Sequence, residues 1–407
     1  MRPKNNQVQT ITDKKTIEEI FARGTVAEIL PSKDDLVAKM LAGQKLRLFI
    51  GFDPTFTSLH LGHAKNIMFM EELRKLGHEI IILFGDFKAR IGDPSAKAAA
   101  RKQLTAEEVK NNVSDWLNQI KSLIDFNDSA NPAKILYNSE WLSKLNMTDI
   151  VNLSSNFTVQ QMLERDMFQK RNKDNIPIYL HEFLYPLMQG YDSVAMNVDG
   201  EICGTDQIFN ALAGRTLLKR LKNKDKFVIA LNLMANPKTG ELMSKSNGTG
   251  VFIDLPPAEL FGSIMALPDP MIEPLFLNCT RITMSQKEDL MKLGPRDAKA
   301  RIAFDIVKRI HGEDAARGAE ENFDKTFSQG GIPENIQEVR FSDDGSSLVD
   351  LLIKNNIISS KTDWKRLMSD GAVRTADEEK ITDPDFIPKE DIILKIGKRR
   401  FVKILRN

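Results

Sequence analysis

Two of the chain's five histidines, His60 and His63, stand three residues apart around Gly62 in "SLHLGHAKN" (58–66). On a helix that spacing puts both rings on one face. Such a pair can bind a metal, donate hydrogen bonds to an anion, or simply pack. A metal site needs third and fourth ligands, and the chain offers neither paired cysteines nor an H-E-x-x-H pattern, so none is expected. Position favours an anion. The pair follows the apolar run "LRLFI" (46–50) and a tight "GFDPT" turn, so it falls where a helix begins. There, free N–H groups and the helix dipole attract negative charge. Gly62 lets a flat ligand approach the backbone without a Cβ in the way. Some 180 residues later, "LMSKS" (242–246) sets Lys245 and Ser246 among Gly240, Gly248 and Gly250, a stretch without apolar periodicity that reads as a mobile loop. One rigid and one mobile phosphate-directed element suit adenylation by ATP. In that reaction a carboxylate attacks the α-phosphate, and the protein positions the groups and stabilises charge on the departing pyrophosphate.

The elements that must hold these residues are legible around them. A buried strand over 46–50, a helix from Leu61 to Leu76 closed by Gly77, and a second buried strand in "HEIIILFGD" (78–86) make a βαβ unit. A parallel sheet covered by helices is therefore expected. Gly51 is followed by "FDPTF" and lacks the dinucleotide fingerprint, which disfavours a nicotinamide enzyme. Residues 101–170 read as a mostly helical insertion. The stretch 185–207 reads as a helix, a short strand and a loop at the sheet's C-terminal edge, where ligands collect in open α/β sheets. Helical patterning returns over 263–330, "SDDGSS" (342–347) reads as a linker, and a short α/β module follows. That module ends in "KIGKRRFVKILRN", with Lys398, Arg399, Arg400, Lys403 and Arg406 and no acid among them.

Composition narrows the class. Fifty-seven lysines and arginines against 56 acids leave a formal charge of +1, so nucleic-acid binding must come from local patches. The longest apolar run, around Ile80–Phe84, is far short of the roughly 20 residues a bilayer span requires. The first residues have no apolar h-region, and Cys203 and Cys279 are too few for a disulfide framework. A cytoplasmic protein without a membrane is the expectation.

Taken together, the motifs resemble those of the class I aminoacyl-tRNA synthetases and, within that class, the bacterial-type tyrosyl-tRNA synthetases. "GFDPTFTSLHLGH" is similar to the HIGH region and "LMSKS" to the KMSKS loop. "IGDPSAKAAAR" and "HEFLYPLMQGYDSVAMNVDGEICGTDQ" are similar to the segments that hold tyrosine and adenylate. The last 60 residues resemble a small RNA-binding module first described in a ribosomal small-subunit protein. The resemblance implies that Asp93, Tyr185 and Gln189 hold the substrate's α-amino group, that Asp192 accepts the phenol's hydrogen bond, and that Gln207 meets the carboxyl region. It places Phe49 and Asp53 in the tyrosine pocket and Gly51, Gly62, Gly204 and Asp206 against the nucleotide, the last two at the ribose. It assigns phosphate stabilisation to Thr55, His60 and His63, joined by Lys97, Arg101, Lys245 and Ser246 from the mobile side.

Three positions depart from the family pattern. Phe49 stands where a tyrosine often supplies a second hydrogen bond to the phenol, Leu242 replaces the first lysine of KMSKS, and Cys203 replaces a glycine and would crowd the adenylate. The resulting expectation is a Rossmann-like parallel-sheet catalytic domain over 1–262, a helical tRNA-binding domain over 263–335, a linker over 336–345 and an RNA-binding module over 346–407. The activity implied is tyrosine–tRNA ligation, with ATP as substrate accompanied by Mg²⁺, no bound organic cofactor, and tRNA(Tyr) and L-tyrosine as partners. A homodimer is also implied, with Met162, Leu163, Met167 and Phe168 as apolar residues in a charged helical stretch. The rivals are a tryptophanyl-type synthetase and a synthetase-like RNA-binding protein impaired in catalysis. A general nucleotidyl transferase would share the histidine pair but would not need the C-terminal module.

Overall fold

The computed structural model describes residues 9–90, 104–244, 248–327, 337–341, 347–355, 357–358, 360–375, 379–383, 386–388, 390–397 and 400–406. The chain divides into two compact units, Met1–Ala316 and Arg317–Asn407.

The first unit is built on six strands: β1 (Val26–Leu30), β2 (Arg47–Phe52), β3 (Glu79–Phe84), β4 (Lys134–Tyr137), β5 (Gly200–Gly204) and β6 (Phe227–Leu231). Their order is β1-β6-β5-β2-β3-β4. All neighbours run parallel except β1, which pairs antiparallel with β6 at the edge. From β2 the chain builds outward through β3 and β4, then returns to lay β5 on the other side of β2. The strand order therefore reverses between β2 and β5, and a crevice opens at their carboxyl ends. The inner strands are mostly buried, and β3 is "EIIILF" with five of its six residues buried.

The βαβ unit forms as expected. The helix Leu61–Lys75 joins β2 to β3, and Gly77 lies beyond its C-cap at φ +94°, a conformation open to glycine. The region 101–170 is not purely helical, since edge strand β4 divides the helix Ala106–Ile120 from Met147–Ser154, Val159–Leu163 and Asp166–Lys173. The expected domain boundary at 262 falls inside the helix Pro257–Ala266, against which the helix Pro295–His311 packs, its Ile302, Ala303 and Ile306 buried. The helices to Ala316 thus belong to the unit that carries the sheet. Arg23 ties them to the N-terminal segment: its guanidinium donates to the carbonyls of Phe276 and Leu277 (both 2.8 Å), Thr280 (2.9 Å) and Ile282 (3.0 Å), satisfying the last turn of the helix Ile272–Cys279.

The second unit has a four-stranded sheet, β7 (Gln337–Phe341), β8 (Val373–Thr375), β9 (Ile392–Ile396) and β10 (Arg400–Arg406), in the order β7-β10-β9-β8. The helices Leu348–Lys354 and Lys361–Ser369, capped by Ser347 and Ser360, bury Leu352 and Trp364 against Leu394, Val402 and Ile404. Residues 336–345 were expected to be a linker, yet they contain β7, which pairs parallel with β10 over five residues. The alternation in "QEVRF", with Val339 and Phe341 buried, is the half-buried strand pattern. The basic end is also less bare than its sequence implies. Lys403 pairs with Glu338 of β7 at 2.9 Å, while Lys398 and Arg399 lie outside the described residues.

Candidate active site

The loop after β2 is clamped by the helix Ala106–Ile120. Asn112 Nδ2 donates to the carbonyl of Pro54 (2.9 Å), Trp116 Nε1 to that of Phe56 (2.5 Å) and Gln119 Nε2 to that of Thr57 (2.8 Å), while Gln119 Oε1 accepts from the Leu59 amide (2.7 Å). Within the loop the Thr55 amide donates to the carbonyl of Asp53 at 2.8 Å. The loop delivers His60 as N-cap of the helix Leu61–Lys75, and the two histidines cap reciprocally. His60 Nδ1 accepts from the Gly62 amide (3.1 Å), and His63 Nδ1 accepts from the His60 amide (3.3 Å). A ring nitrogen that accepts carries no proton, so each imidazole is neutral and its proton belongs on Nε2. Burial drives both rings the same way. The His60 pKa falls to about 4, and that of His63 falls well below its ordinary value, lowered further by His60 and Lys65. His63 sits among Phe52, Phe56 and Trp116, with ring centroids 5.6–6.3 Å away, and 4.0 Å from the His60 ring. Gly62 has a second reason to be glycine: a Cβ there would lie 2.8 Å from the His60 imidazole.

The flanks of the second motif are tied to the first. Before the loop, Ala235 bridges Leu242, and the Met243 amide donates to the Met234 carbonyl (2.7 Å). After it, Phe252 bridges His60 in an antiparallel pair flanked by Leu61 N–H to Val251 O and Ile253 N–H to Leu59 O, both 2.9 Å. The segment carrying Lys245 thus starts beside β6 and lands on the histidine cap. Leu242 keeps 43% of its surface exposed.

Between β2, β5 and the helix Leu180–Met196 lies a buried charged network. Asp192 is completely buried. Its Oδ1 accepts from Trp141 Nε1 (2.8 Å), and its Oδ2 from Lys88 Nζ (3.2 Å) and Asn138 Nδ2 (3.4 Å). All three partners are donors, which suits a carboxylate. Burial raises its pKa, and Lys88 pulls against that rise. For Lys88 burial is also the largest influence and lowers its pKa, but Asp192, Asp53 and Glu201 together bring it above lysine's ordinary value. Tyr185, buried beside Leu142 and Met188, donates its hydroxyl to Asp53 Oδ2 at 2.6 Å. Asp53 in turn presses against Gly85, where a Cβ would meet its Oδ1 at 2.0 Å. Farther along, Gln189 Nε2 donates to Glu201 Oε1 (3.0 Å), and Asn210 Nδ2 donates to Gln189 Oε1 (3.1 Å) and Gln207 Oε1 (2.7 Å). Gln207 Nε2 reaches Asp206 Oδ2 at 3.2 Å, just past Gly204 at the end of β5. Glu201 pairs with fully buried Lys226, whose ammonium lies 5.5 Å from the centre of the Phe49 ring.

A family model described as class I tRNA synthetases (W and Y) matches residues 41–328. The chain is 41% identical to the tyrosine–tRNA ligase of Carboxydothermus hydrogenoformans over 95% of this chain and 97% of that one. It is 37% identical to the tyrosine–tRNA ligase of Haemophilus influenzae over 98% of each. The chain belongs to the class I tRNA synthetases of this family. Among solved structures, a C-terminally truncated mitochondrial tyrosyl-tRNA synthetase from Aspergillus nidulans shares the fold at TM-score 0.65 and 20% identity, over 77% of this chain and 94% of that one. The tyrosyl-tRNA synthetase from Archaeoglobus fulgidus complexed with L-tyrosine does so at 0.57 and 21%, over 75% and 99%.

The described residues among those expected at the site fall into three groups. His60, Gly62 and His63 form the cap, Asp53, Tyr185 and Asp192 a buried group joined through Lys88, and Gln189, Gly204, Asp206 and Gln207 the β5 side. Gly51 is exposed at the end of β2, and Thr55 follows in the clamped loop. Asp93, Lys97, Arg101, Lys245 and Ser246 lie outside the described residues. Cys203 does not crowd the crevice as expected; it packs with Ala211, Val228 and Ala230, and burial holds its thiol well above the usual range. The sequence reading missed Lys88, Asn138, Trp141, Glu201 and Lys226. The available signal was a charge set in apolar sequence, as in "GEICG" and "DKFVIAL".

Proposed function

We propose that the chain is a tyrosine–tRNA ligase that activates L-tyrosine with ATP and then transfers it to the acceptor end of tRNA(Tyr). The observation that carries this reading is Asp192, a fully buried carboxylate surrounded by donors at the β2/β5 crevice. A carboxylate has lone pairs beyond the three these donors use, so a side chain that brings a further donor is favoured over one that sets carbon against the buried charge. The near-full-length likeness to proteins named tyrosine–tRNA ligase supports a phenol as that donor. A tryptophanyl activity is the second reading, because the family model spans W and Y and an indole N–H is also a donor.

In the proposed reaction the tyrosine carboxylate attacks the α-phosphate of Mg²⁺-bound ATP. Neutral His60 and His63 offer Nε2–H donors to the phosphates beside Thr55, aided by Lys97, Arg101, Lys245 and Ser246. Tyr185, Gln189 and Asp93 receive the α-ammonium, Gln207 the carboxyl end, and Gly204 and Asp206 the ribose. The second unit contributes to tRNA capture. The assembly is a cytoplasmic homodimer; of the four residues expected to mark its interface, Met162 and Phe168 are buried within the subunit and Leu163 and Met167 are half-buried, whereas Met147, Val151, Val159, Tyr179 and Leu180 are 54–80% exposed and offer an apolar surface for it. Charging of unfractionated bacterial tRNA with labelled tyrosine or labelled tryptophan tests the reading. Tyrosine should be incorporated; incorporation of tryptophan alone would transfer the assignment to the second reading.

A further inference from the structure

Lys88 has no role in the reading above, yet it lies at the centre of the buried group formed by Asp53, Tyr185 and Asp192. It begins the short helical turn Lys88–Arg90 after β3 and is only 3% exposed. Its ammonium is 3.2 Å from Asp192 Oδ2, 3.9 Å from Asp53 Oδ1 and 5.4 Å from the centre of the Tyr185 ring. Among the described residues Asp192 is its carboxylate partner within hydrogen-bond distance, and an ammonium has three donors. Asp192, Asp53 and Glu201 keep this ammonium charged at a depth where an unpaired lysine would lose its proton. Phe49 sharpens the point, since its ring brings no hydroxyl to the pocket and packs instead with Ile81, Leu83, Met196 and Val198.

We propose that Lys88 is a specificity-determining residue that donates a hydrogen bond to the substrate's phenol oxygen while Asp192 accepts the phenol's proton. This rests on the tyrosine reading. The phenol oxygen then meets one donor and one acceptor fixed to each other as an ion pair. A side chain lacking the hydroxyl leaves both partners of a buried pair facing carbon. A hydroxyl that has lost its proton is still held, because the ammonium remains. The groups facing the ammonium are Asp53 from the β2 loop, Asp192 and Tyr185 from the helix Leu180–Met196, and Glu201 from β5.

The test is ATP–pyrophosphate exchange by the full chain with tyrosine, phenylalanine and ring-fluorinated tyrosines of progressively more acidic phenol, across pH. If Lys88 donates to the oxygen, the parent enzyme keeps kcat/KM for the most acidic phenol within about tenfold as pH rises two units above that phenol's pKa, normalised to tyrosine. A Lys88→Met enzyme loses about 10- to 100-fold in the tyrosine-over-phenylalanine ratio and falls in step with the vanishing neutral phenol. The second readout separates direct contact from a merely structural role. Should Lys88→Met fail to fold, the parent's fluorotyrosine series decides alone. A roughly hundredfold fall over those two units, tracking the neutral form, overturns the proposal even if tyrosine itself is activated well. A parent enzyme that does not activate tyrosine overturns the functional reading first, and this proposal with it.

Discussion

Replacing His60 with alanine removes two separable contributions. The first is structural: His60 Nδ1 satisfies the Gly62 amide at the start of the helix Leu61–Lys75, within a reciprocal cap that also uses His63. Losing a side-chain N-cap costs about 1 kcal/mol, within a range of roughly 0.5–2. The second is kinetic. A preorganised donor aimed at charge that develops only in the transition state is worth about 2.7–4 kcal/mol, or roughly 10²–10³ in rate. His60→Ala should therefore lose about 1 kcal/mol in urea unfolding and slow adenylate formation by about two to three orders of magnitude, with tyrosine affinity nearly unchanged. His60→Asn separates the terms, because asparagine caps as well as any residue but its amide ends short of the imidazole Nε2. Stability should return while most of the rate defect remains. The His60 pKa of about 4 adds a sign: the ring is already neutral at pH 5.5, so the parent rate should show no imidazole inflection between pH 5.5 and 8. Quenched-flow measurement of adenylate, alongside equilibrium unfolding, reads all of this. A His60→Ala rate within about threefold of the parent, or a parent rate that rises as a group near pH 6.5 gains its proton, would refute the neutral-donor reasoning.

Other perturbations have equally definite outcomes. Asp192→Ala strands the buried Lys88 ammonium and should destabilise the fold by about 3–5 kcal/mol, while the double variant with Lys88→Met should recover part of that in urea unfolding; a double variant no more stable than the single one would remove the ion pair from the explanation. His78 is fully buried, with a folded-state pKa near 4 against 6.5, so the unfolded chain binds more protons between those values. Stability should then fall by about 3 kcal/mol as pH drops from 6.5 to 4, and His78→Gln should flatten that slope; an unchanged slope would place the proton elsewhere. Deleting residues 337–407, and not 346–407, which would leave β7 without β10, should spare tyrosine-dependent pyrophosphate exchange and cut tRNA charging sharply; loss of exchange from a folded remainder would contradict the modular reading. Light scattering should give twice the 46.0 kDa chain mass, and Leu180→Glu, at an 80% exposed position, should halve it; a monomeric parent would end the dimer proposal.

What was legible in the chain followed from local physics. "EIIILF" reads as a buried strand because a central parallel strand has no wet face, and Gly77 marks a helix end because the chain must turn through positive φ there. Strands β1 and β4 escaped because edge strands are short and half-wet, and β4 has no buried residue at all. Lys88 escaped for a different reason. In "GDFKAR" a lysine reads as solvated surface, and its burial becomes visible only once Asp53 and Asp192, 139 positions apart, converge on it. The same limit leaves Met162 and Phe168 open, in the sequence, to an interface or to packing inside one subunit. Apolar spacing on a helix records that a face is covered, whereas whether a partner or the chain itself covers it depends on tertiary packing.

Every kinetic outcome above depends on activation of tyrosine by ATP. ATP–pyrophosphate exchange by the full chain with each of the twenty amino acids tests it most directly. Exchange should depend on tyrosine, with phenylalanine far behind; exchange driven by tryptophan or another amino acid, or none with any of the twenty, would overturn the assignment.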